Sequence, residues 1–125
     1  MKALILLLVA STAFAASPEA PLASIPPAKK KLYANVRDAK DWRNPYLVVG
    51  AGDVQVLNAG TTEIEQLKTV LETLPRKAWP YGRVVALQEQ ALRSGNDNEK
   101  IKKNLEKVLT ILKAADIKVE LWPSA

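Results

Sequence analysis

The 125-residue chain contains no cysteine and no histidine. Their absence removes disulfides, thiol nucleophiles, imidazole general bases, the usual catalytic triads and metal sites built from Cys or His. Aromatic residues make up 6% of the chain against 48% hydrophobic overall, so the core must be built mainly from aliphatic side chains. Gly50 and Gly52 are followed by neither a third glycine nor Gly-Lys-Ser/Thr, which a phosphate loop would need. The Asn96-Asp97-Asn98-Glu99 run lacks the glycine and the terminal bidentate Glu of a calcium loop. No catalytic, cofactor-binding or metal-binding residue, and no cofactor, is therefore expected.

The amino terminus has the form of an export signal. Met1-Lys2 precedes the apolar run 3–9, and Ala13-Phe14-Ala15 is a small-x-small cleavage site, so residues 1–15 read as a signal peptide. The apolar stretch is shorter than the roughly 20 residues of a membrane helix, so no transmembrane span is expected after cleavage. This predicts a periplasmic or secreted protein. The net charge of +5 is concentrated early: residues 16–40 hold Lys29, Lys30, Lys31, Arg37 and Lys40 against Glu19 and Asp38. Residues 41–125 carry twelve basic and eleven acidic groups, which is no basic face for nucleic acid.

Residues 16–41, with Pro18, Pro21, Pro26 and Pro27, are expected to form an extended, mobile Pro/Lys-rich linker. A small α/β domain over 42–125 follows. Pro45 introduces a first strand over 46–49, and the Gly50-Ala51-Gly52-Asp53 turn leads to a second over 54–57. Thr62 and Glu65 have capping-box spacing ahead of Ile64, Leu67, Val70, Leu71 and Leu74, the apolar face of a helix that Pro75 ends. Val84, Val85, Ala86 and Leu87 form a continuous β-branched run bounded by Gly82, which suits a central, buried strand. A second helix begins near Asn96, with Ile101, Leu105, Val108, Leu109 and Leu112 on its inner face and Asn104 among its solvent-facing residues. Asp116 stands where a left-handed cap prefers glycine, before a last strand over 117–121. The expected fold is α/β (α+β): a small two-layer sandwich in the order β-β-α-β-α-β, with a mixed sheet of about four strands and two helices.

Residues 45–122 resemble the periplasmic domain of the ExbD/TolR proteins. The likeness is carried by Val48-Val49-Gly50-Ala51-Gly52-Asp53, by 67–74 and 84–87, and by Ile111-Leu112-Lys113-Ala114-Ala115-Asp116-Ile117-Lys118-Val119. Trp79-Pro80-Tyr81-Gly82-Arg83 and Glu120-Leu121-Trp122-Pro123 are also similar to phrases of small exported bacterial proteins. The resemblance implies a hairpin, helix, strand, helix, strand order. Residues 1–16 carry no acidic group in place of that family's proton-handling Asp, so the likeness implies a fold and transfers no functional residue.

The function expected is that of a noncatalytic exported module binding a protein or cell-envelope component. One alternative is a carboxylate-dependent envelope hydrolase using Glu89 with Asp97 or Glu99. The other is a self-associating structural domain, a homodimer through an exposed hairpin edge. Ligands favour the carboxyl ends of parallel strands, which places the contact patch at Trp42, Glu89, Gln90, Arg93 and Trp122. That patch assumes that the first strand starts at the same end, beside Trp42 and Asn44.

Overall fold

A computed structural model describes residues 22–57, 59–90 and 95–122. The expected signal peptide, 1–15, and the candidate Arg93 lie outside the described residues. Five strands form one mixed sheet: β1 (Tyr46–Val49), β2 (Val54–Val56), β3 (Gly60–Thr62), β4 (Val84–Glu89) and β5 (Lys118–Trp122). Their order across the sheet is β3-β2-β1-β4-β5. β2 pairs antiparallel with both β1 and β3, while β4 runs parallel to both β1 and β5. Two helices, α1 (Leu67–Thr73) and α2 (Gly95–Ala114), complete the α+β fold. Among the described residues no helix is long and apolar enough to cross a membrane.

The apolar run 84–87 is fully buried because β4 lies between β1 and β5 with both its faces covered. Leu47, Val49, Val85 and Leu87 point to the helix side, where Leu67, Leu71, Val108 and Leu112 meet them in the main core. α2 then closes through a Schellman turn, in which Ile117 N–H donates to Leu112 O and Asp116 N–H to Lys113 O. Asp116 takes the left-handed conformation there, at φ 60°. A non-glycine residue bears a cost of about 1 kcal/mol in that position.

Sequence and structure differ at three places. β3 consists of Gly60, Thr61 and Thr62, which carry no apolar signal and join the sheet through backbone pairing with β2. That pairing holds Thr62 extended, so the expected capping box does not form. A single 3₁₀ turn, Ile64–Gln66, starts at Glu63 without a side-chain cap and leads into α1.

The third difference concerns the expected linker. Residues 22–41 are packed against the domain as a strap. Leu22 and Ile25 enter the helix-side core, whereas Tyr33 is buried on the opposite face of the sheet. Pro26 O accepts from Arg83 N–H and Tyr81 O accepts from Lys29 N–H, both at 2.9 Å. Short 3₁₀ turns, Leu22–Ser24, Lys30–Leu32 and Ala39–Asp41, satisfy part of the strap's backbone internally, and its apolar side chains anchor it across the sheet.

Candidate functional site

Alternation along the strands turns Tyr46 and Val48 of β1, Val84, Ala86 and Gln88 of β4, and Lys118, Glu120 and Trp122 of β5 towards the strap. Tyr33, Trp42 and Tyr81 close over them. The result is a chain of aromatic rings in mostly edge-to-face contact. Trp42 lies 5.5 Å from Tyr33, 5.1 Å from Tyr81 and 5.9 Å from Trp122, and Tyr46 lies 5.5 Å from Trp122. Such pairs contribute about 0.5–1.5 kcal/mol each beyond the area they bury. Trp42 is itself buried, its indole N–H donating to Pro45 O, while Trp122 is half-buried.

Asn44 fastens this face to the turn before β4. Its amide donates to Gly82 O and Val84 O, and its carbonyl oxygen accepts from Tyr81 N–H. Tyr46 donates from its hydroxyl to Gln88 Oε1 at 2.5 Å. A groove of about 290 Å³ opens beside these residues, lined by Lys40, Trp42, Arg43, Asn44, Tyr46 and Leu57. Its floor is aromatic. Its rim carries two cations and Leu57, which is 39% exposed.

The structure joins two of the expected contact residues and separates others. Trp42 and Trp122 meet edge to face. Glu89, opposite Val49 in the register, follows Val85 and Leu87 on the helix side, away from the tryptophans. Gln90 donates from its backbone to Val49 O, and its side chain lies against Gly50 in the hairpin turn. The assumption behind the patch is corrected: β1 lies beside β4 and parallel to it, so Asn44 sits at the amino end of β4. Trp42 reaches Trp122 only because its ring lies across the sheet face.

Asn104 is a second correction. It is buried against the hairpin turn, donating to Gly50 O and Ala51 O at 2.9 Å each, and is not among the solvent-facing residues of α2. Its spacing from Ile101 and Val108 carried that signal. Tyr33, Asn44, Tyr46 and Tyr81 were missed because nothing in the sequence shows that the strap covers a sheet face.

No family model, curated protein or solved structure matches the chain. The site therefore rests on its own geometry.

Burial pushes the Tyr33 phenol above its ordinary value, and the Glu120 carboxylate adds to the shift. Burial does the same to Tyr46. Both groups stay protonated in the fold to higher pH than in the unfolded chain. Their stabilisation is complete below about pH 10, the ordinary tyrosine value, and is lost as pH rises through the raised values. Unfolding followed by circular dichroism should show stability declining above about pH 10. Tyr33→Phe should flatten that decline, and an unchanged slope would show that Tyr33 titrates alike in both states.

Proposed function

We propose that the protein is a noncatalytic exported module that binds a protein or cell-envelope component across the face holding Trp122 and the adjoining groove. The observation that carries this reading is a partly exposed tryptophan braced by Trp42 and Tyr46, next to a groove rimmed by Lys40 and Arg43. Tryptophan and arginine are the residue types most enriched at interface hot spots, and a pre-braced ring loses little conformational freedom on binding. The export signal read from residues 1–15 supports an envelope setting.

The test compares wild type with Trp122→Ala and Arg43→Glu in binding to peptidoglycan sacculi and to envelope extract. Each substitution should weaken retention of the bound component roughly 30-fold, the equivalent of a 2 kcal/mol hot spot. Retention unchanged in both variants would move the contact surface elsewhere. Turnover of an envelope glycan that vanishes in Glu89→Ala would replace binding with hydrolysis.

A further inference from the structure

The sheet ends at β5, whose only strand neighbour among the described residues is β4. Lys118 N–H donates to Arg83 O, which fixes the phase of the parallel ladder: Lys118, Glu120 and Trp122 direct their backbone groups to β4, and Val119 and Leu121 direct theirs outward. Leu121 is 63% exposed, the most exposed large apolar side chain among the described residues. The far edge, β3, is shorter and lined by Gly60 and threonines. β5 is thus the longer edge, and it carries an uncovered leucine.

Its sequence is self-complementary in one register. An antiparallel copy must pair outward-facing residues with outward-facing residues, so the two-fold axis passes through a residue, and the two axes that pair most of β5 lie at positions 119 and 120. Centred on Glu120, the pairing sets two Glu120 carboxylates directly opposite each other, which is destabilising. Centred on Val119, it sets Lys118 opposite Glu120 twice and Val119 opposite Val119. The latter register also brings Leu121 of one copy beside Ile117 of the other. There it meets a groove of about 330 Å³ between α2 and β5, where Leu109, Ile117 and Val119 line the wall together with Lys113, Asp116 and Lys118.

We infer that β5 is a homodimer interface, joining two copies antiparallel about Val119 into one ten-stranded sheet. Lys118–Glu120 pairs set the register, and Leu121 of each copy fills the groove of the other. The two Trp122 faces then lie on the same side of the joined sheet, making the assembly bivalent. The pairing uses the outer backbone edge of β5 and the helix-side Leu121, whereas the Trp122 ring lies on the strap side, so either proposal can fail alone. A five-residue strand pair with one leucine from each side is at the small end of specific interfaces, so the dimer forms in a concentration-dependent way.

Sedimentation equilibrium over a wide concentration series should show the mass doubling. Lys118→Glu, which puts like charges opposite each other, should weaken association at least tenfold, and Lys118→Glu with Glu120→Lys should restore it. Since the protein has no cysteine, Val119→Cys can form a disulfide only between copies. The Cα atoms of that pair would be about 5.5 Å apart, within bridging range. Rapid cross-linking of Val119→Cys, with Glu120→Cys and a cysteine at exposed Lys68 linking slowly, is the expected result. A monomer at every concentration, or faster linking through Glu120→Cys, with circular dichroism showing intact folds, would overturn the inference.

Discussion

Replacing Gly82 by alanine should destabilise the protein by about 3 kcal/mol or more. Gly82 adopts φ +88°, a conformation that strains any L side chain by about 1–2 kcal/mol. A Cβ there would fall within contact distance of the Pro27 carbonyl oxygen and only 2.9 Å from Ala28 Cα. Those neighbours are backbone, so the clash cannot be relieved by a rotamer change and the strap itself must move. Moving it breaks the hydrogen bonds from Arg83 N–H to Pro26 O and from Lys29 N–H to Tyr81 O. Urea titration should show a lower midpoint, and limited proteolysis should cut within 22–41 at lower protease concentration than in wild type. A loss below about 1 kcal/mol would mean that the strap is not seated on this turn.

Asn44→Ala should be comparably severe, at about 3–5 kcal/mol. The side chain is buried and makes three hydrogen bonds of 2.7–2.8 Å, each to a backbone group flanking the start of β4. Truncation leaves the Val84 carbonyl and the Tyr81 N–H without these partners and Gly82 O with only the Val84 N–H, and each unsatisfied buried group costs about 1–3 kcal/mol before relaxation and water entry. Asn44→Asp separates chemistry from packing, because it keeps the shape but points a carboxylate at the Gly82 and Val84 carbonyls. It should be nearly as destabilising at neutral pH and should regain stability as pH falls, when the protonated acid can donate once. Thermal unfolding at pH 7 and pH 4 measures this; equal losses at both would show that repulsion at the carbonyls is not what destabilises the variant.

The parts of the fold legible in the sequence are those whose own side chains carry the pattern. The run at 84–87, the Gly50-to-Asp53 turn and the spacing of Ile101, Val108 and Leu112 each specify an element locally, and the structure has all three. β3 was illegible because Gly60, Thr61 and Thr62 are ordered by the backbone of β2 rather than by their own burial. The strap was misread because proline density describes backbone conformation and says nothing of whether Ile25 or Tyr33 finds a surface to cover. Of the contact patch, the Trp42–Trp122 pair was legible, but its placement rested on strand order, which depends on long-range pairing. Glu89 ends β4 and Gln90 follows it, yet one turns to the helix side and the other to the hairpin.

The strap also constrains the order in which the chain can fold. Its fixing points are Tyr81 and Arg83, and the aromatic face that it helps to close includes Trp122. The Asn44 amide reaches carbonyls 38 and 40 residues downstream. A nascent chain thus presents Tyr33 and Trp42 long before their partners exist, and contacts this distant in sequence favour slow, late closure. The domain cannot finish folding until its last strand has been made.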